Sequence, residues 1–265
     1  MWELLEALIL GIVQGLTEFL PVSSSGHLEI TKYLLQNDSL AEQSMLTTVF
    51  LHFATAIATM VVFRKDIWDI ITSLFSQNGH ESRSFVAYII ISMIPAALVG
   101  VFFDEIIESF FHQKITFVGF MLLLTAVLLY LSERTSSGNK PVNVKSAIII
   151  GFSQAVAILP GISRSGATIA TALLLGVDKS KAARFSFLMV IPLIFGKIAK
   201  DLLSGDFSQN MPSSSYLIVG FLAAFITGIL ACTWMIKIVK NAKLSYFAIY
   251  CLIVGVSVIA IDTFL

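Results

Sequence analysis

Six stretches of this chain stay apolar long enough to cross a bilayer core, which takes about 20 helical residues. They lie near 45–63, 85–103, 115–132, 185–200, 215–236 and 244–264. The fourth is the weakest, with Pro192 inside it and Lys197 and Lys200 at its end. Two further regions, 1–35 and 146–176, are as apolar but are broken midway by Pro, Gly and Ser. Each half of these regions is only about 12 to 18 residues, short of a comfortable crossing. They are expected to be re-entrant helical hairpins, tolerated at membrane depth only where the irregular tip is buried in protein or lines a wet cavity. The pattern predicts an all-α polytopic membrane protein with about six transmembrane helices, in one integral domain over 1–265.

The placement of positive charge tests that topology. Loops at 64–84, 133–146, 176–184 and 236–243 carry Arg64, Lys65, Arg83, Arg134, Lys140, Lys145, Lys179, Lys181, Arg184, Lys237, Lys240 and Lys243, twelve of the seventeen basic residues. If both broken regions return to the side they entered from, all four loops share one face, the cytoplasmic one. The opposite loops, 36–44, 104–114 and 201–214, carry Asp38, Glu42, Asp104, Glu105, Glu108, Asp201 and Asp206, with Lys114 as their one base. Both termini then lie on the non-cytoplasmic side, and the hairpins enter from opposite faces. An inverted repeat is expected, repeat 1 over about 1–132 with hairpin 1–35 and repeat 2 over about 146–265 with hairpin 146–176. Two blocks match at an offset of 140: Gly11-Ile-Val-Gln14 with Gly151-Phe-Ser-Gln154, and Ser23-Ser24-Ser25-Gly26 with Ser163-Arg164-Ser165-Gly166. Such an architecture places a site near the midplane, where the broken helices meet.

Composition agrees. Hydrophobic residues make up 57% of the chain and charged ones 13%, where a soluble domain carries about a quarter charged. Net charge is zero, which argues against a nucleic-acid partner. Cys232 and Cys251 sit singly in apolar runs without ligand spacing, as packing residues do. Met1-Trp2-Glu3 has no positive n-region and no small-residue cleavage site follows, so no signal peptide is expected.

Chemistry gathers at the two breaks. Gln14 and Glu18 are four apart and share a helix face, and an intramembrane carboxylate is functional by default. With Ser23, Ser24, Ser25 and His27 behind them, they suit a bound cation or a general base. A plainer reading has Glu18 protonated, or closing the hairpin through nearby hydroxyls. Pro21 ends the first half-helix, because proline disfavours helical geometry in the residue before it. The serines then open the next half-helix, whose free N–H groups and positive dipole end attract an anion, particularly phosphate. One serine would suffice as an ordinary N-cap.

The second break, Leu159-Pro-Gly-Ile-Ser-Arg-Ser-Gly-Ala-Thr168, repeats the design with Arg164 in place of Ser24. Arg164 offers a planar, permanently charged fork for phosphate, or a salt bridge to Glu18, and the two roles are compatible when the site is empty. Two half-helix N-termini and an arginine describe an anion site. A carboxylate, an imidazole and hydroxyls beside it can move a phosphoryl group. No GxxxxGK[ST] loop is present, which argues against a nucleotide.

Gln14-x-x-x-Glu18, Pro21-Val-Ser-Ser-Ser-Gly-His27 and Pro160-Gly-Ile-Ser-Arg-Ser-Gly-Ala-Thr168 closely resemble the bacterial undecaprenyl-diphosphate phosphatases, the bacitracin-resistance (BacA-type) family. The resemblance spans nearly the whole chain, including "LHFATAIATMVVFRKDI" (51–67) and "AARFSFLMVIP" (182–192). It implies a hydrolase of the plasma membrane that converts undecaprenyl diphosphate to the monophosphate, recycling the cell-wall lipid carrier on the outer side and conferring bacitracin resistance. Carried over by position, Glu18, Ser24, His27 and Arg164 look like the reactive group. Gln14 stands where the family's [E/Q]-x-x-x-E motif can place a second carboxylate, Ser25 where relatives often have Thr, and Ala54 where many have Gly.

The expected mechanism has the prenyl tail in lipid or an apolar groove and the diphosphate at the tips. Ser23, Ser25, Gly26, Ser163, Ser165, Gly166 and Thr168 are the candidate phosphate-binding set beside Arg164. A divalent cation, Mg²⁺ or Ca²⁺, would be touched by Glu18 and Gln14. Ser24 is the expected nucleophile with His27 or Glu18 as base; phosphohistidine at His27 and direct attack by water stay open. The competing reading is a transporter of the lipid carrier or another anion, and a third is a non-catalytic lipid-binding protein. His52 can face the same cavity or pack within its span, and His80 and His112 are read as loop residues. Glu29 and Lys32 are spaced to pair. Gly11-x-x-x-Gly15 permits close helix approach, within the fold or in a homodimer. Arg64, Lys65 and Asp66 read as a cytoplasmic membrane anchor.

Overall fold

The computed structural model describes residues 2–35, 41–111, 114–135, 138–204, 212–241 and 244–264. Asp38, His112, Asp206 and Lys243 lie outside the described residues, and for Glu42, Glu108, Asp201 and Lys240 only the backbone is described. The described chain is helical: α1 (Trp2–Thr17), α2 (Ser24–Leu34), α3 (Ala41–Val62), α4 (Arg64–Leu74), α5 (His80–Phe102), α6 (Asp104–Glu108), α7 (Ile115–Glu133), α8 (Val144–Val156), α9 (Arg164–Leu174), α10 (Lys179–Ser204), α11 (Ser214–Asn241) and α12 (Ser245–Phe264).

Five helices, α5, α7, α10, α11 and α12, are long and apolar enough to cross a membrane, and α3 continued by α4 through a 73° bend makes a sixth candidate. These are the six predicted runs. Large apolar side chains point outward along them, among them Leu124 and Val127 on α7 and Ile226 and Leu230 on α11, as a lipid-facing belt requires. The broken regions resolve into short pairs. At 1.5 Å per residue, α1 reaches about 24 Å, α8 about 20 Å, and α2 and α9 about 16 Å each, all short of a 30 Å hydrocarbon core.

The stretch 64–84, read as a loop, holds α4 and the start of α5, and 104–114 holds α6. His80 is accordingly the first residue of α5 rather than a loop residue. The reason lies in a short 3.6-residue period within the charged stretch. Ile67 and Ile70 of α4 pack against the core, while Trp68, Ile71 and Phe75 stand exposed on the other face. A helix with basic residues at one end and an aromatic exposed face, bent sharply from a span, has the form of an interfacial segment.

Packing is exchanged between the halves of the chain. Hairpin helix α1 lies along α11, and hairpin helix α8 lies along α5, while α7 packs on α12. Gly11 and Gly15 make the first contact possible. A Cβ on Gly11 would stand 2.4 Å from the Gly220 carbonyl oxygen, and one on Gly15 would stand 2.6 Å from that of Ala224. The GxxxG pair thus serves the internal fold. Gly151, the counterpart of Gly11, meets the Ser92 carbonyl of α5 in the same manner, at 2.6 Å. Both cysteines are free and buried, and Lys32 pairs with Glu29 at 2.9 Å.

Gly15→Val is therefore expected to lower stability by about 2–3 kcal/mol, because neither α1 nor α11 backbone can retreat without parting. Gly100→Ala, where a Cβ would meet nothing within 4 Å, serves as the control in thermal unfolding of detergent-purified protein. Equal melting temperatures for the two variants would sink the packing account.

Candidate functional site

The two hairpin breaks are built alike. Ser23 caps α2 by accepting from the Gly26 N–H at 3.2 Å, and Ser163 caps α9 by accepting from the Gly166 N–H at 3.0 Å. In each break the cap hydroxyl also lies 3.3 Å from the hydroxyl two residues on, Ser25 or Ser165. Ser23 adopts φ 71°, the one positive φ of a non-glycine residue among the described residues. Such a conformation costs about 1–3 kcal/mol and persists only where surroundings over-determine it.

Those surroundings are the other tip. A Cβ on Gly26 would approach the Gly161 Cα to 2.9 Å, and one on Gly166 would lie 3.3 Å from the Pro21 Cβ. The start of each second half-helix thus seats on the bend of the opposite hairpin. Ser165 Oγ donates to the Leu20 carbonyl at 3.2 Å. On α7, Thr125 Oγ1 donates to the Gly161 carbonyl and accepts from the Ser163 N–H, each at 3.1 Å.

This interlock puts Glu18 and Arg164 together. Glu18 is buried, and the Arg164 guanidinium donates to its Oε1. Its Oε2 accepts from Ser24 Oγ at 2.6 Å and from Gln14 Nε2 at 2.9 Å. His52 of α3 turns its Nε2 to within 3.5 Å of the same oxygen. Because a carbonyl can only accept, His52 Nδ1 carries the proton it gives to Thr48 O at 2.8 Å. Gln14 Nε2 also donates to Thr55 Oγ1 at 3.3 Å, leaving its buried Oε1 without a partner. Gln154, its counterpart in the second block, is likewise buried with an unpartnered Oε1.

A cavity of about 400 Å³ opens from this cluster. Glu18, Ser24, Ser25, Ser163, Arg164 and Ser165 form its polar end, with His52 and Gln154. Its walls are mainly apolar and come largely from α5 and α10, including Met93, Ala97, Leu193 and Ile194. Asp104, Lys197 and Lys200 line its far part. An apolar-walled cleft with convergent polar groups at one end is the form of a site for an amphipathic ligand.

The structure thus brings together seven of the twelve candidate site residues, Gln14 on Glu18 and the six at the polar end of the cavity, and sets the other five aside. Ser23 and the amides of Gly26 and Gly166 are engaged in capping and tip contact, off the cavity. Thr168 is buried against Ser186, with 2.7 Å between hydroxyl oxygens. His27 faces α12: Nδ1 donates to the Ser23 carbonyl, Nε2 accepts from the Tyr250 hydroxyl, each at 2.8 Å, and the two rings stack. His52 and Gln154 enter the site instead. Gln154 carried a signal, its repeat match to Gln14, whereas nothing local to His52 separates a cavity histidine from a packed one.

Residues 7–257 match the family model of the bacitracin resistance protein BacA. A protein of Christiangramia forsetii named undecaprenyl-diphosphatase is 58% identical over 97% of both chains. Proteins of the same name from Bacteroides fragilis and Methanobrevibacter smithii are 50% and 41% identical, the alignments covering 98% of both chains and 97% and 96% of them respectively.

Arg164→Ala strands a buried carboxylate, and Glu18→Gln strands a partly buried guanidinium. Each is expected to cost about 3 kcal/mol, the double variant distinctly less than the sum. Thermal unfolding in detergent reads this, and strict additivity would mean that the pair does not hold the tips.

Proposed function

The chain belongs to the BacA bacitracin-resistance family, and from that premise we propose that it is a membrane phosphatase. It hydrolyses undecaprenyl diphosphate to undecaprenyl phosphate and inorganic phosphate, recycling the cell-wall lipid carrier and conferring bacitracin resistance. The observation that carries the reading is the 2.6 Å hydrogen bond from Ser24 Oγ to Glu18, with Arg164 of the other tip on the same carboxylate. A nucleophile, its base and a cation for phosphate meet at one end of an apolar-walled cavity.

The prenyl chain lies along the α5–α10 wall and in lipid, and the diphosphate reaches the tips. Arg164 exchanges Glu18 for the terminal phosphate, which frees the carboxylate to act as base. Ser24 Oγ attacks the terminal phosphorus and its proton passes to Glu18 Oε2. The bridging P–O bond breaks, and its electron pair leaves with the polyprenyl monophosphate. Water then attacks the phosphoserine; Glu18 returns the proton to Ser24 Oγ as that bond breaks, and the water's protons leave on phosphate. Positioning and charge neutralisation supply most of the rate. His27, with both ring nitrogens turned to Ser23 and Tyr250, holds the strained α2 tip in register.

No group of three or more His, Cys, Asp and Glu able to hold a metal occurs among the described residues. The unpartnered Gln14 Oε1 beside Glu18 nonetheless fits a hard cation bound mainly through substrate oxygens. Glu18 and Gln14 would hold Mg²⁺ or Ca²⁺, which would neutralise charge on the diphosphate. The sorting of basic residues into four loops supports a reading in which the opposite face, with both termini and the cavity's Asp104–Lys200 end, lies outside the plasma membrane.

Purified protein in detergent is expected to release phosphate from a prenyl diphosphate. Ser24→Ala should lower kcat at least about a hundredfold and Arg164→Ala about a thousandfold. EDTA should abolish turnover, restored by Mg²⁺ or Ca²⁺. Substrate labelled in its terminal phosphate should leave label on Ser24 in quenched protein; label on His27 would refute the assignment of nucleophile. Folded, lipid-binding protein without turnover at any prenyl length would make lipid transport the leading reading.

A further inference from the structure

The mechanism leaves Gln154 idle, although it lines the same cavity as Glu18, Ser24 and Arg164. Gln154 stands on α8, the first half-helix of the second hairpin, and is 1% exposed. Its Nε2 donates to the Ser92 carbonyl of α5 at 3.4 Å. A carbonyl only accepts, so the nitrogen must face it and the orientation of the amide is fixed. Oε1, the other branch of that amide, is buried and has no donor among the described residues.

A strut between α8 and α5 does not need this group. Gly151 already brings the two backbones together at Ser92, where a Cβ would stand 2.6 Å from the carbonyl oxygen. An apolar side chain at 154 would complete that contact, and a buried acceptor left unmet outweighs one long hydrogen bond. Nor does Gln154 repeat the part of Gln14. Gln14 donates to Glu18, four residues on, and to Thr55. The residue four on from Gln154 is Ile158, which also lines the cavity. The second hairpin thus holds an anchored amide with a spare acceptor and no carboxylate for it to orient.

A spare acceptor narrows what can use it. Ionised phosphate oxygens are acceptors themselves and offer Oε1 nothing. A cation would ask for further oxygens, and the neighbouring cavity residues Ala157 and Ile158 have none in their side chains. Water brings the donor that is missing. A glutamine amide suits an attacking water because it accepts an O–H and aims the lone pair, yet is too weak a base to take the proton. In-line attack needs that water on the side of phosphorus away from Ser24 Oγ. Ser24 and Glu18 belong to the first hairpin and Gln154 to the second, so each hairpin can serve one side.

We propose that Gln154 orients the water that hydrolyses the Ser24 phosphate, the second half of the reaction. The water donates to Gln154 Oε1 as its oxygen attacks phosphorus. The bond from phosphorus to Ser24 Oγ breaks, its electron pair stays on Oγ and takes the proton held by Glu18, and both protons of the water leave on phosphate. This role rests on the phosphatase reading with Ser24 as nucleophile.

The test separates the two half-reactions in purified protein, with prenyl diphosphate labelled in its terminal phosphate. Gln154→Met removes the acceptor at nearly constant length. Rapid quenching is expected to show a first-turnover burst of prenyl monophosphate at the wild-type rate. Release of labelled phosphate falls roughly tenfold or more, and label builds up on Ser24 to about one per protein. Gln154→Asn, which keeps an amide but shortens its reach, is expected to build up label in the same way and stands in where the methionine variant does not fold. A lost strut would instead slow both half-reactions alike, and that result overturns the assignment while the phosphatase reading stands. Unslowed phosphate release does the same. Turnover without label on Ser24 in any variant overturns both the nucleophile and this role but keeps the enzyme, and wild-type protein that releases neither product overturns all three.

Discussion

Glu18 and Arg164 lie at the centre of the protein, and neither could be there without the other. A carboxylate or guanidinium at membrane depth is costly when isolated, and the geometry here supplies each with its counter-charge from the opposite hairpin. The pair therefore does more than prepare a site. It links residue 18 to residue 164, so the first broken helix is correctly placed only when the second is. Gln14, Ser24 and His52 add contacts on one oxygen of that carboxylate, which fixes its orientation. A strained Ser23, interlocked tips and capped half-helix ends follow from the need to bring these two charges face to face inside a bilayer.

The same constraint explains why the tips are made of small residues. A half-helix N-terminus must sit on the bend of its neighbour, at Gly26 against Gly161 and at Gly166 against Pro21. Side chains there would part the hairpins and leave the ion pair open. The caps take up amides that hydrocarbon could not satisfy. The Gly26 and Gly166 amides are consequently not the free donors that a phosphate would find at an uncapped helix.

Much of this was legible in the sequence because membrane solvation is severe and its rules are local. Runs of apolar residues marked the six spans, and Pro21 and Pro160 marked the breaks. The repeated Ser-x-Ser-Gly marked the two tips that the structure caps alike. Helix α4 was missed because its charges masked a short amphipathic period at Ile67 and Ile70. The direction of His27 was not legible at all. It is set by Tyr250, 223 residues away, and a residue at a helix N-terminus can turn to either side. His52 gave the converse case: one histidine in a span, whose relevance depended on which face of α3 meets Glu18.

What the repeat hides is its most consequential feature, the place where the halves differ. Residues 23, 25 and 26 have identical counterparts at 163, 165 and 166, and these build the caps and the tip contact. Between them, Ser24 faces Arg164. Had both tips carried serine, the buried carboxylate would lack its arginine counter-charge; had both carried arginine, there would be no Ser24 hydroxyl on it. The departure extends outward, for α3 packs extensively on α11 whereas α5 and α10 touch little and hold the cavity between them. A near-symmetric frame thus supplies two equivalent half-helix ends at one point. Chemistry becomes possible there because a single unlike pair of residues, and one opened wall, give those ends different work.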